Sequence, residues 1–301
     1  MIVSLLDIHT PVASPEGSLD EPLEILEAGT GHGSLTLHLA RAINAANPCP
    51  PRIPSASQRQ ILDDSNSTGK SQTGTEDTVQ REWDEWRAQR GAVLHTVDVN
   101  AKYSAHAEMV VRGFRRGLYA GNVDFYVSSV ERWIEEQTRR RAMGVFSKTT
   151  KPFLSYAILD MPSAHLRIPH VASVLKPDGI LAVFMPHITQ IGDCVKLIRE
   201  KRLPFVMDRT VELGTGISSG RLWDVRVAQT KSKSKLSSQA KEEEASEVAD
   251  SDGSPSTSTD AAANDAAAET EKGESVLVCR PKVGEKIVGG GFVGIWKRMK
   301  N

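Results

Sequence analysis

Between Ile25 and Leu35 the chain reads Ile-Leu-Glu-Ala-Gly-Thr-Gly-His-Gly-Ser-Leu, and this stretch restricts the possible folds more than any other. An apolar run closes on Glu27, glycines recur at Gly29, Gly31 and Gly33, and apolar residues continue at helical spacing from Leu35 to Ile43. That order predicts a strand, a tight turn and the start of a helix. The glycines let backbone approach a ligand where a Cβ would collide, and the N–H groups of the first helical turn face any anionic group seated there. Glu27, at the carboxyl end of the strand, is expected to project its carboxylate over the same crevice.

Two cofactor classes compete for such a turn. Dinucleotide folds space their glycines G-x-G-x-x-G. Here the order is Glu-x-Gly-x-Gly-x-Gly, the pattern of class I S-adenosylmethionine methyltransferases.

The rest of the chain has to decide between them. Ala92–Val99 ends in Asp98 and reads as a second strand; Val123–Val130 reads as a third; Leu154–Met161, almost continuously apolar, reads as a fourth, buried on both faces. Helices are predicted between them, at Ala101–Gly117 and Glu131–Arg141, and a further helix at His165–Leu175 leads to strand Ile180–Met185 and helix Thr189–Lys201. Strands without intervening helices follow at Phe205–Leu213, Leu222–Ala228 and within Ser275–Lys300. The expected architecture is a Rossmann-like, doubly wound α/β fold: a mostly parallel seven-stranded sheet with helices on both faces and a late β-hairpin. A dehydrogenase usually appends a second catalytic domain, and no stretch here supplies one.

Two segments, 48–80 and 230–274, are too polar to offset their ordering entropy and read as disordered insertions in a single domain spanning 1–301. Just beyond the first, Glu82–Gln89, with Trp83 and Trp86, reads as a short helix re-entering the fold. Met1–Ile8 has the look of a helix begun in mid-domain. A formal net charge of −1 excludes a global basic field, so nucleic-acid binding would have to be local. Cys49, Cys194 and Cys279 form neither a disulfide framework nor a metal-binding pair, and no metal is expected. No apolar run approaches the ~20 residues of a membrane span, and the first forty residues carry acids but no basic residue, so an intracellular protein without a visible targeting sequence is expected.

Ligands of open α/β sheets sit beyond the carboxyl ends of the strands. Glu27, Asp98, Ser129 and Asp160 are expected to close the first four strands and line one rim. Asp98 lies far from Gly33, but excising an insertion of about forty residues restores a normal offset, suiting it to accept ribose hydroxyls. Asp160, fixed by Pro162, is the expected catalytic carboxylate: with adenine as substrate it would accept a hydrogen bond from the exocyclic amine and stabilise the cation that methylation at N1 creates. His32 would meet solvent or the cofactor edge. His165 and His187 follow the fourth and fifth strands and could contact a base. Arg112, Arg115 and Arg116, expected on one helix face, together with Arg139–Arg141 and Lys297–Lys300, are candidates for phosphate contact.

Glu27–Leu35, Leu94–Asp98, Leu159–Pro162 and His187–Ile191 together resemble the catalytic subunit of tRNA adenine N1-methyltransferases, which modify the T-loop adenine at tRNA position 58. The similarity runs from Met1 to Arg226 apart from the first insertion and resumes at Val278. It implies that Glu27, Gly29, Thr30, Gly31, His32, Gly33, Ser34 and Leu35 cradle S-adenosylmethionine, that Asp98 binds its ribose and that Asp160 holds the target adenine, which must be extruded from the tRNA elbow. It further implies tRNA as partner and a homo-oligomer, or a hetero-oligomer with a non-catalytic tRNA-binding subunit, in nucleus or mitochondrion. The chain departs from the family in starting after its N-terminal β-rich domain. Ser129 stands where an Asp usually contacts the cofactor adenine, which weakens that contact or moves it to Asp124. The fourth-strand motif Asp160-Met161-Pro162-Ser163-Ala164-His165 is closer to the organellar version. The alternatives are a non-catalytic tRNA-binding paralogue and a small-molecule or protein methyltransferase.

Overall fold

The structure, a computed structural model, describes residues 2–10, 21–62, 74–142, 151–214, 221–229, 275–281 and 289–300. The chain divides into two units, Met1–Arg226 with Cys279–Asn301, and Val227–Val278. The second predicted insertion, 230–274, lies outside the described residues, as does the loop expected at 11–20.

In chain order the elements of the first half are α1 (Ile2–Leu6), β1 (Leu23–Ala28), α2 (Ser34–Ala42), β2 (Gln60–Ile61), α3 (Gly74–Arg87), β3 (Ala92–Asp98), α4 (Ala101–Gly113), β4 (Val123–Val127) and α5 (Val130–Ala142). Then follow β5 (Leu154–Leu159), α6 (Ile168–Val174), β6 (Leu175–Met185), α7 (Ile188–Glu200), β7 (Phe205–Gly214), β8 (Arg221–Gln229), β9 (Ser275–Pro281) and β10 (Gly289–Arg298). Within the first unit the sheet runs β2-β4-β3-β1-β5-β6-β10-β7-β8. The pairs from β2 to β6 are parallel, whereas β10 runs antiparallel to both β6 and β7. This is the expected Rossmann-like α/β architecture: β7 and β8 form the late antiparallel hairpin, and β10 returns between β6 and β7. Two edge strands, β2 and β8, extend the seven-stranded core.

The parallel strands are apolar on both faces because helices cover both. β5 shows why: Leu154, Ala157, Ile158 and Leu159 are each at most 1% exposed, and each fully buried Leu or Ile contributes roughly 1.5–3 kcal/mol. A charge at Ile158 would have no partner there. The turn expected at Lys176–Gly179 is present as four residues looped out of β6, since Leu154 pairs with Leu175 and Tyr156 already pairs with Ile180.

The expectation of disorder across 48–80 does not hold for the described part of that segment. Residues 48–62 cross the first unit beside α4, and β2 extends the sheet beyond β4. Arg112 of α4 donates to the carbonyls of Pro54 and Ala56, while Glu108 accepts from Ser57 Oγ at 2.6 Å and from the Gln58 N–H at 2.8 Å. Polar residues here are held by partners on α4 rather than by their own apolar content. Residues 63–73 lie outside the described residues. The re-entering helix exists as α3, and Trp83 and Trp86 are both buried, their ring centroids 5.4 Å apart.

Registers align the carboxyl ends of the central strands. Ala28 pairs with Val97 of β3 on one side and with Leu159 of β5 on the other, and Asp98 pairs with Val127 of β4. The strand order reverses between β1 and β5, so the crevice between them is the place where an open α/β sheet takes its ligand.

Candidate cofactor and active site

A cleft of about 1160 Å³ opens at that switch point. It exceeds the roughly 300–1,000 Å³ range of single-ligand pockets, leaving room for two ligands side by side. Its floor is the glycine turn. Gly29, Gly31 and Gly33 all have positive φ, at 94°, 52° and 79°. A Cβ on Gly29 would lie 1.9 Å from the Asp160 carbonyl oxygen, and one on Gly33 would lie 2.9 Å from Ala107 Cβ. Those two glycines permit close packing of β1 on β5 and of α2 on α4. At Gly31 an added Cβ would meet nothing within 4 Å; its open side faces the cleft, a cradle that a side chain would fill. Gly33 caps α2 without a side-chain hydrogen bond, so the opening N–H groups at Ser34 and Leu35, both lining the cleft, are available to a carboxylate.

Asp98 braces the turn. Its Oδ2 accepts from the Gly31 N–H at 3.1 Å and its Oδ1 from the Asn100 N–H at 2.7 Å. Asn100 in turn caps α4, accepting from the Lys102 and Tyr103 N–H groups. Across the cleft, the Asp160 N–H donates to the Ala28 carbonyl at 2.8 Å, fixing the end of β5 against the end of β1. Burial pushes the Asp160 carboxyl above the ordinary aspartate value. Ser129 lines the cleft and its Oγ accepts from the Arg132 N–H at 3.2 Å, opening α5; β4 itself ends at Val127. His32 reaches the cleft with its ring 5.7 Å from that of Tyr103.

Glu27 departs from the expectation. It is fully buried and absent from the cleft lining, sitting beneath the turn rather than over the crevice. Its Oε2 accepts from Thr36 Oγ1 at 2.6 Å and from Thr96 Oγ1 at 2.7 Å. With its proton given to Glu27, Thr96 must accept from Thr30, 2.7 Å away. Glu27 thus ties β1, α2, β3 and the turn together from below. Burial raises its pKa to about 7, against the opposing pull of the two threonine hydrogen bonds, and its Oε1 has no partner.

Other predicted contacts are also relocated. Asp124 is buried on β4, paired with Arg87 at 2.9 Å and Arg90 at 2.8 Å, and does not line this cleft. Burial alone would raise its carboxyl, but the two guanidinium groups hold it well below the carboxylate range. His165 does not reach the cleft, and His187 is exposed at the start of α7, where its N–H donates to Gln190 Oε1 at 3.1 Å. Arg112 is turned to the 54–56 carbonyls. Arg115 and Arg116 lie beyond the end of α4, outside the cleft and off the helix face. Arg139 and Arg140 pair with Glu136, Arg141 with Glu24, and Lys297 and Lys300 with Asp178.

Residues not foreseen also line the cleft: Ile2 and Ser4 of α1, His38 and Arg41 of α2, Tyr103 of α4, and Arg167, which pairs with Glu131 at 3.0 Å. Ser34, His38 and Arg41 follow helical spacing, so the α2 face was readable once its start was placed. The helix expected within Met1–Ile8 is present as α1, but nothing in the sequence signals that it, or Arg167, reaches the cleft. Among the described residues no group of three metal-ligating side chains is gathered, and no helix is long and apolar enough to cross a membrane.

No family model matches the chain, and no curated protein matches it. Among solved structures it is similar to a SAM-dependent O-methyltransferase from Thermotoga maritima, with 12% identity over 99% of this chain and 70% of that one and a TM-score of 0.41. It is similar as well to tRNA (m1A58) methyltransferase TrmI from Aquifex aeolicus, with 9% identity over 94% of this chain and 66% of that one, also at 0.41. An rRNA methylase from Streptococcus thermophilus shares 10% identity over 94% of this chain and 90% of that one at 0.37. Neither the fold nor the site described above rests on likenesses at this level.

Proposed function

We propose that this chain is an S-adenosylmethionine-dependent RNA methyltransferase that acts on N1 of the T-loop adenine of tRNA. The observation that carries the reading is the pairing, across one cleft, of a glycine cradle with a partly buried carboxylate: the Gly31 opening and the first turn of α2 on one side, Asp160 on the other. The residues fit the cofactor. Ser34 and Leu35 would hold its carboxylate, Asp98 its ribose, and Ser128 and Ser129 the edge of its adenine. When bound, S-adenosylmethionine supplies an electrophilic methyl group.

The protein's own contribution is positioning and charge. Asp160 accepts a hydrogen bond from the exocyclic amine of the target adenine, which orients N1, and its negative charge stabilises the cation formed there. No proton leaves N1 during transfer, so no general base is needed. Asp160 must be ionised for this, and its raised pKa carries the loss of activity in acid to higher pH than an exposed aspartate would. The glycines and Asp160, both present at the cleft, argue against a non-catalytic paralogue. The resemblance of Glu27–Leu35 and Leu159–Pro162 to tRNA adenine N1-methyltransferases supplies the choice of nucleotide. Methyl transfer to unmodified tRNA transcripts with and without the T-loop adenine tests it; incorporation that is indifferent to that adenine would overturn the assignment.

A further inference from the structure

We propose that the surface formed by α2, α4 and the turn Phe114–Gly117 binds the RNA strand leading away from the cleft, with Arg115 and Arg116 as its distal phosphate clamp. The proposal rests on the RNA reading above and adds to it where the RNA lies.

Three observations support it. The first is charge. From Ser34 to Ala46 and from Val99 to Val123 the sole acid is Glu108, which is buried and paired with Arg59 at 3.1 Å. Over the same stretches Arg41, Lys102, Arg115 and Arg116 are exposed and form no ion pair among the described residues. In a chain of net charge −1, this face concentrates cations without exposed carboxylates; a polyanion is its complement.

The second is aromatic interleaving. Tyr103, 47% exposed, sits at the cleft with the His32 ring 5.7 Å away, and His32 is in turn 5.7 Å from His106 one helical turn further along α4. At the far end Phe114, 37% exposed, stacks on Tyr119 and carries the Arg115 guanidinium 5.5 Å from its ring centroid. Flat rings beside unpaired cations are the means by which proteins hold unstacked bases and backbone together. α4 has thirteen residues, so the two ends are about 20 Å apart, a track of several nucleotides that begins at the cleft.

The third is the backbone. Arg115 and Arg116 both adopt left-handed conformations, at φ 45° and 60°, between Gly113 and Gly117. Two consecutive arginines in this region are costly, about 1 kcal/mol or more each, and such strain gathers at binding sites. Packing fixes it here: a Cβ on Gly117 would lie 2.3 Å from Ile53 Cδ1, so the 48–62 segment closes on the turn and aims the arginines outward.

The test replaces both arginines with asparagine, which tolerates the left-handed region, and in a separate variant replaces Lys102 with glutamine. Binding of an unmodified tRNA transcript to the full chain is followed by fluorescence anisotropy from low to moderate salt, with S-adenosylmethionine affinity measured by calorimetry. The Arg115→Asn/Arg116→Asn protein is expected to lose roughly tenfold or more in RNA affinity and to show a log K against log[salt] slope shallower by about 1.5, from two phosphate contacts, with cofactor affinity unchanged. Lys102→Gln should shift affinity and slope in the same direction by about half as much. Unchanged RNA affinity in both variants, with the wild-type protein binding tRNA, would overturn the track and leave the RNA reading standing. No tRNA binding by the wild-type protein would overturn both. A change of oligomeric state in the variants at unchanged RNA affinity would make this face a contact between copies of the chain and would equally refute the proposal.

Discussion

Replacing Glu27 by glutamine should stabilise the protein at neutral and alkaline pH. Glu27 is fully buried, and its pKa is raised from 4.5 to about 7 by burial, with smaller contributions from Asp160 and Asp98. That difference corresponds to about 3 kcal/mol. The sign follows from proton counting. Between pH 4.5 and about 7 the unfolded chain has released this proton and the folded chain still holds it, so stability falls as pH rises across that window and levels off above it. Glutamine removes the charge but keeps a carbonyl oxygen to accept from Thr36 and Thr96. Urea midpoints for Glu27→Gln and wild type, measured from pH 5 to pH 8, should therefore nearly coincide at pH 5 and separate to about 3 kcal/mol in favour of the variant at pH 8. A variant less stable than wild type at pH 8, or a difference that does not vary with pH, would refute the buried, charge-strained carboxylate and restore Glu27 to the cleft.

Gly29→Ala combines a φ of 94° with a Cβ placed 1.9 Å from the Asp160 carbonyl oxygen, so a loss of at least about 2–3 kcal/mol in denaturant stability is expected; an unchanged midpoint would contradict the close approach of β1 and β5. Asp160→Asn should lower the rate of methyl transfer by roughly 10²–10³ while calorimetry finds cofactor affinity within a few-fold of wild type, and loss of cofactor binding instead would remove its substrate role. The pH dependence of transfer in the wild-type protein should show a loss on the acid side, as Asp160 protonates, at a higher pH than an exposed aspartate gives; a rate flat through that region would count against it. Asp98→Ala frees the Gly31 and Asn100 N–H groups, and cofactor affinity should fall by roughly tenfold or more, which calorimetry reads directly.

The parallel core was legible because its signals are strong and local: β5 is apolar on both faces, and the three glycines punctuate one turn. The rim was legible for the same reason, since Asp98 ends and Asp160 follows a largely apolar strand. Glu27 was misplaced because its seat beneath the turn is set by Thr36 of α2 and Thr96 of β3, partners from other elements that a motif does not carry. The 48–62 segment misled through composition: its polar residues are satisfied by Glu108 and Arg112 on a helix far along the chain, and long-range pairing of that kind leaves no periodicity to read. Arg112 illustrates the same limit, sharing a run with Arg115 and Arg116 but turned to backbone carbonyls. The place of β10 between β6 and β7 depends on which strand fills the sheet last, which order along the chain cannot show.

The central claim is tested most directly by methyl transfer from labelled S-adenosylmethionine to an unmodified tRNA transcript, set beside the same transcript with its T-loop adenine replaced. The cleft and its carboxylate predict incorporation into the first and none into the second. Equal incorporation into both, or none into either while the cofactor still binds, would contradict the account.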